Sequence, residues 1–84
     1  MSSIRFSGIR FTAYAMDHHP RHIHEFYADL EIIVDLRLAG AVALADRTDA
    51  IRPGNGSKSD VKHVLAVAAQ HFDELVALWE KHHG

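Results

Sequence analysis

The stretch Leu30-Glu31-Ile32-Ile33-Val34-Asp35-Leu36, at residues 30–36, decides the fold class. Its even positions are all apolar and include two β-branched side chains, a pattern that favours a strand with one buried face. Residues 22–27 before it also suit an extended strand, and Ala28-Asp29 between the two segments suits a tight turn. Together they predict two antiparallel strands joined by a tight turn.

Two further strands are predicted outside this hairpin. Residues 9–15 alternate between apolar and other side chains, and residues 41–46 form a weaker strand after a turn at 38–40. Pro20 prevents the segment between the first two strands from taking a central place in the sheet. We therefore expect three to four strands. Residues 48–59 are rich in turn-forming side chains and are predicted to be a mobile loop that tolerates deletion.

The C-terminal third predicts a helix from about residue 60 to 82, capped by Ser59 or Asp60. Apolar side chains recur there at three- and four-residue spacing, either on one long helix or on two in-phase helices broken near residues 71–72. Strands first and helix last indicate an α+β fold, an antiparallel sheet with helix packed on one face. The expected core contains Ile9 or Phe11, Ile32, Val34, Leu65, Phe72, Leu75 and Trp79.

Composition limits the class of protein. The 84 residues are 48% apolar, which suits one globular domain over residues 1–84. The absence of cysteine excludes disulfides and thiolate metal ligands. No apolar run has the length of a signal peptide or a membrane span, so we expect a soluble, cytoplasmic protein. A core this small favours a homo-oligomer or a complex. The net charge of −2 provides no general attraction for nucleic acid.

The most unusual chemistry lies in the histidine cluster, residues 17–24, with the sequence Asp-His-His-Pro-Arg-His-Ile-His. His22 and His24 are two residues apart on a predicted strand, so their side chains project from the same face. His18 lies across the Pro20 turn from them and is a third candidate ligand. Asp17 is a candidate ligand or a partner for one of the rings.

Three interpretations of the cluster stay open. The histidines pack against the sheet and bond to backbone carbonyls; or His18, His22 and His24 bind a divalent transition metal such as zinc or nickel. In the third, His22 and His24 act as acid and base with His18 as a further catalytic candidate, Arg21 stabilises developing negative charge, and Asp17 orients an imidazole. His71 lies at the flank of the apolar helix stripe and is expected to point towards the sheet. His82 and His83 are expected to be solvated.

Three motifs of the chain resemble an uncharacterised bacterial family, the DUF4160 domain of unknown function. They are Ile4-Arg5-Phe6-Ser7-Gly8-Ile9, then Asp17-His18-x-Pro20-x-His22-x-His24-x-x-Tyr27, then His71-x-x-Glu74-Leu75-x-x-x-Trp79. The chain departs from the family pattern at residue 19, usually Asn, at residue 21, often a second Pro, and in an apparent insertion over residues 52–58.

The resemblance implies a small toxin-like component of a two-gene module, paired with an antitoxin-like protein and contacting or cleaving RNA. It also carries Tyr27 and His71 over as candidate binding residues. The alternatives from the residues themselves are a histidine-based metal-binding module and a non-catalytic interaction domain.

Overall fold

The computed structural model describes residues 1–83. Six strands precede two helices. The strands are β1 (Ser2–Phe6), β2 (Ile9–Ala13), β3 (His22–Tyr27), β4 (Leu30–Leu36), β5 (Val42–Leu44) and β6 (Ile51–Arg52), and a short 3-10 turn at Leu38–Gly40 joins β4 to β5. The helices are α1 (Lys58–Gln70) and α2 (Phe72–His83). The α+β class predicted from the sequence is confirmed.

All strand pairs are antiparallel, in the order β1-β2-β3-β4-β5. The two short strands β5 and β6 both pair with β4. β5 aligns with residues 34–36 of β4, and β6 aligns with residues 31–32. The central hairpin has the bounds predicted from the alternation of residues 22–27 and 30–36.

The predicted count of three to four strands is wrong because β1 and β6 were not expected. β1 has only two apolar residues, and it is paired through a tight turn at Ser7-Gly8, both in the left-handed region with φ of 52° and 77°. Such turns match the twist of a hairpin. β6 is two residues long, within the predicted loop, and exists by pairing with the edge of β4. Two predicted strands, residues 9–15 and 41–46, are shorter than expected. β2 ends at Ala13, and β5 spans only residues 42–44.

The helical region is two helices, the second of the two alternatives. His71 ends α1 with a non-helical conformation of φ −114° and ψ 27°. The first helix begins earlier than predicted, because the Ser57 hydroxyl accepts a hydrogen bond from the Asp60 amide. Ser57 is therefore the cap, in place of Ser59 or Asp60. Within residues 1–83, neither helix combines the length and apolar character that a bilayer crossing requires.

The core lies between the helices and one face of the sheet. Its largest side chains are buried as predicted at Ile9, Phe11, Ile32, Val34, Leu75 and Trp79. Leu65 and Phe72, which were expected in the core, are only partly buried because they lie at the margin of the apolar helix stripe. Val64 and Leu78 are the buried residues at its centre.

A carboxyl group also lies in this core. Glu25 is fully buried, and neither of its oxygens has a hydrogen-bond partner in the described chain. Its cross-strand neighbours are Phe11 and Ile32. Burial among apolar groups raises the pKa of Glu25 to about 9, so the group is neutral at pH 7.

Side chains that alternate with the core positions point to the other side of the sheet, which we call the open face. Both helices pack on the core side. The open face carries the functional side chains discussed below.

Candidate functional site

Three side chains of the histidine cluster converge, and we call them the Asp-His-His site. The candidate ligand atoms of Asp17, His22 and His24 all lie within 4.8 Å of one another. The Nε2 atom of His24 is 3.3 Å from Oδ2 of Asp17 and 3.4 Å from Oδ1. The Nε2 atom of His22 is 3.6 Å from Oδ2. The three side chains are 11–15% exposed, so the site is close to the surface but shielded from it.

Different backbone elements position the histidines and the aspartate of the site. His22 and His24 project from one face of β3, as their two-residue spacing predicts. Asp17 returns to them after β2 through a turn in which its amide donates to the Tyr14 carbonyl at 3.1 Å. Its carboxylate accepts from the Tyr14 amide, and its carbonyl accepts from Nε2 of His83 at 2.8 Å. The C-terminal end of α2 therefore holds the loop that carries the carboxylate.

The second nitrogen of each histidine ring has its own acceptor. Nδ1 of His22 donates to the Pro20 carbonyl at 2.8 Å, and Nδ1 of His24 donates to the Glu31 carboxylate at 2.9 Å. A carbonyl or carboxylate oxygen at Nδ1 fixes the proton there. With the protons on Nδ1, the Nε2 lone pairs of both rings are on the side of the Asp17 carboxylate, and the three candidate ligand atoms lie within 4.8 Å of one another.

Glu31 is itself oriented by a further contact. Its Oε1 atom accepts from Nη2 of Arg52 on β6 at 2.9 Å, while Oε2 accepts from His24. A chain of contacts thus runs from β6 through Glu31 to the His24 ring. The Asp-His-His site depends on the loop segment that was predicted to be free and mobile.

A cavity of about 510 Å³ adjoins the site on the open face. Its lining includes two of the site residues and several polar neighbours: Asp17, His18, His19, His22, Asp35, Asp46 and Arg47. Ile33 forms part of the apolar wall. A small polar molecule in this cavity would lie against the Asp-His-His site.

The other predicted site residues lie elsewhere. His18 is exposed and lines the cavity, but it is not one of the three converging ligands. Arg21 donates from Nε to the Leu36 carbonyl at 2.8 Å, and its guanidinium lies over the Phe72 ring. Its donors are therefore engaged with backbone oxygens, away from the carboxylate of the site.

Tyr27 and His71 are also separate from the site. Tyr27 is at the other end of β3, with its ring 5.3 Å from that of His63. His71 stacks on Phe6 at a centroid distance of 3.7 Å, so it does reach the sheet, at β1. It also donates to Glu74 at 2.8 Å, and this hydrogen bond lowers the pKa of the Glu74 carboxyl.

Sequence reasoning missed Glu31 and Arg52. Its expectation that His83 is solvated is wrong, because the half-buried His83 ring lies against the carbonyls of Trp79 and Asp17. For Glu31 a signal was present, since the two-residue turn at 28–29 sets Glu31 opposite Phe26 and diagonal to His24 on the same face. Arg52 and His83 gave no local signal, because β6 pairing and the end of α2 bring them to the site across the fold.

Comparison with known proteins gives one positive result. No curated protein and no solved structure matches the chain. The model of one family, described as Domain of unknown function (DUF4160), matches residues 8–80 and so includes β2, β3 and the whole Asp-His-His site. The protein therefore belongs to the DUF4160 family of domains of unknown function.

Proposed function

We propose that this protein binds a divalent transition metal ion at Asp17, His22 and His24. The observation that carries the proposal is the direction of the ring nitrogens. Both Nδ1 atoms are engaged with oxygen acceptors, so two Nε2 lone pairs face a carboxylate at 3.3–3.6 Å. Lone pairs facing a negative charge repel it unless a proton or a metal cation lies between them.

Two of the three ligand separations, those from Oδ2 of Asp17 to the two ring nitrogens, suit a metal ion. A tetrahedral ion held at 2.0–2.2 Å by each ligand separates its ligand atoms by about 3.3–3.6 Å. The Nε2 to Oδ2 distances of 3.3 Å and 3.6 Å fall in this range. Outer partners at the second ring nitrogen, as Glu31 and the Pro20 carbonyl provide here, are a regular feature of histidine metal sites.

The ligand set also indicates which metal ions would bind and what chemistry a bound ion would support. Two imidazole nitrogens and one carboxylate oxygen suit zinc, nickel and related ions rather than calcium or magnesium. Three protein ligands leave a coordination position for water or substrate, which supports a reactive site more than a purely structural one. A bound ion would make such a water more acidic and polarise a substrate oxygen. The ligand set proposed from the sequence is changed in one member, Asp17 in place of His18.

Calorimetric titration with zinc and with nickel tests the proposal. The test set is Asp17→Asn, His22→Gln and His24→Gln, with His63→Gln as the matched control because His63 is an exposed helix residue. We expect one ion per chain in the parent and in the control. Each site variant should lose more affinity than the roughly 10–100-fold typical of an outer hydrogen bond. Equal binding by His24→Gln and His63→Gln, with both folded, would overturn the proposal.

The toxin-like role expected from the family resemblance is a second proposal. Acid–base cleavage of RNA needs a cation beside the reacting phosphate. Arg21, the residue that the sequence suggests for that task, donates to the carbonyls of Leu36 and Arg37. A metal ion at the Asp-His-His site would supply that charge, so this role now depends on the metal. Cleavage of a labelled RNA by the zinc-loaded chain, lost in His24→Gln, supports it; an intact RNA refutes it.

The partner implied by the resemblance also stays a proposal. It is a small antitoxin-like protein or a second copy of this chain. Sedimentation of the purified chain separates a homo-oligomer from a monomer, and co-purification with the product of the neighbouring gene tests the antitoxin-like partner.

A further inference from the structure

A row of charged and aromatic side chains crosses the open face beside the Asp-His-His site. The strand registers align its members directly across the sheet: Arg5 faces Arg10, Arg10 faces Phe26, Phe26 faces Glu31, and Glu31 faces Arg52. We call these five residues the arginine row. Neighbouring strands lie about 4.8 Å apart, so the row spans about 19 Å over four strand spacings.

Two of the arginines face each other without compensation. Like charges directly opposite on neighbouring strands repel each other. Arg5 and Arg10 form such a pair. The ion pairs of the described chain that involve arginine use Arg37, Arg47 and Arg52, and do not include Arg5 or Arg10. An anion bound between Arg5 and Arg10 would relieve this repulsion.

The only carboxylate of the arginine row is already engaged. Glu31 uses one oxygen for His24 and the other for Arg52. Three arginines against one glutamate leave the row with a net charge of about +2 at neutral pH. The row is thus a local basic site on a chain whose overall charge is −2.

The row also contains an aromatic platform and adjoins a groove. The guanidinium carbon of Arg10 lies 4.5 Å from the centroid of the Phe26 ring. A shallow groove of about 610 Å³ runs beside them and is lined by both residues, by Glu31 and Arg52, and by Leu30 and Asp29. Aromatic rings and arginine planes are the groups on which unpaired nucleic-acid bases stack.

We propose that the arginine row binds single-stranded nucleic acid across the open face. Phosphates would be bound at Arg5 and Arg10 and at Arg52, with a base against the Arg10–Phe26 pair. A strand is favoured over a free nucleotide because the row, from the uncompensated Arg5 and Arg10 to Arg52, which is paired with Glu31, spans about 19 Å, farther than one phosphate reaches. The next positions along β2 and β3 are Thr12 and His24, so the bound strand passes the Asp-His-His site.

Fluorescence anisotropy with a labelled oligouridylate of about 12 nucleotides tests the proposal, a length within the usual range of site sizes. The measurement is made in chelator, so failure of the metal proposal does not affect it. Arg10→Gln and Phe26→Leu are compared with Lys62→Gln, which removes one positive charge from the exposed side of α1. Circular dichroism checks that each variant is folded.

We expect each row variant to lose about 10-fold or more in affinity, in line with the loss of one stacked base, while Lys62→Gln stays within 2-fold of the parent. Arg10→Gln should also lower the salt dependence, by about 0.7 in the slope of log affinity against log salt concentration. Parent-like binding by folded Arg10→Gln would overturn the proposal. So would competition by uridine monophosphate that equals competition by the strand, since it would mark a site for free nucleotides.

Discussion

Glu31 accepts a hydrogen bond from Nδ1 of His24 at 2.9 Å, although its direct cross-strand neighbour is Phe26. The diagonal contact fixes the tautomer and the plane of the imidazole. It also connects the Asp-His-His site to Arg52 and hence to the edge of the sheet. The contact explains why the ring of His24, on the open face of the sheet, is held in one orientation.

Replacing Glu31 by Ala is therefore expected to weaken metal binding without removing a ligand. The loss should be about 10–100-fold, the usual effect of removing an outer partner of a ligating histidine. Glu80→Ala, which removes an exposed carboxylate from α2, is the control and should bind as the parent does. Competition with a zinc-sensitive dye measures both affinities. Unchanged affinity in folded Glu31→Ala would show that the contact has no part in holding the ring.

Glu25 should make the stability of the fold fall as pH rises. Burial raises its pKa in the folded protein to about 9, above the value of 4.5 for a free side chain. The folded state therefore holds the proton more tightly. The stabilisation that results is fully present below pH 4.5 and is lost as pH rises towards 9, with a limiting slope of about 1.4 kcal/mol per pH unit.

Urea unfolding of the parent and of Glu25→Gln, at several pH values between 5 and 9, tests this prediction. The substitution removes the titrating group and keeps the shape of the side chain. As pH rises, the unfolding free energy of the parent should fall relative to that of Glu25→Gln. Glu80→Gln is the exposed control and should follow the parent. A difference that stays constant with pH would mean that Glu25 is already ionised in the fold, or finds a partner there.

Truncating Trp79 to Ala should cost about 3–5 kcal/mol of unfolding free energy, because a large buried side chain is lost from the core. Trp79 is 2% exposed, and its ring stacks on His83 at a centroid distance of 3.6 Å. Since His83 donates to the Asp17 carbonyl, the variant should also lose metal affinity. Trp79→Phe keeps an aromatic ring and should lose less unfolding free energy and less metal affinity than Trp79→Ala. Denaturant unfolding followed by zinc titration measures the two effects.

Two glycines of the same loop should differ in their tolerance of alanine. A Cβ atom at Gly56 would lie 2.7 Å from Cδ2 of Leu30 and 3.3 Å from Cγ2 of Ile51, whereas no atom of residues 1–83 lies within 4 Å of one at Gly54. Gly56→Ala is expected to cost about 1–3 kcal/mol through overpacking, towards the lower end because a leucine methyl can move. Gly54→Ala should stay within about 0.5 kcal/mol of the parent. Equal stability of the two variants would show that the loop does not pack on β4.

This packing bears on the tolerance to deletion predicted from the sequence. Composition made residues 48–59 look like a free loop, but Ile51–Arg52 pairs with β4, and Gly56 lies against Leu30. Turn-forming residues report the local backbone and carry no information about what the turn packs against. Removal of Pro53 to Gly56 remains a test of the sequence prediction, and its effect on metal affinity through Arg52 is the informative measurement.

The central hairpin was predictable because alternation over residues 30–36 and a two-residue turn act locally. For the same reason the sequence could place His22 and His24 on one face. It could not choose between Asp17 and His18 as the third ligand, because the path of the chain around Pro20 makes that choice. The contacts of His83 and Arg52 depend on helix packing and edge pairing, which no local pattern reports.

A crystal structure of the zinc-loaded chain, with anomalous diffraction recorded at the zinc edge, shows directly which side chains bind the ion. Metal binding at the Asp-His-His site predicts one anomalous peak per chain at 2.0–2.2 Å from Nε2 of His22, Nε2 of His24 and a carboxylate oxygen of Asp17. Nδ1 of His24 should still donate to Glu31. A peak at the exposed histidines alone, or no peak within reach of His22 and His24, would contradict the assignment of this site as a metal centre.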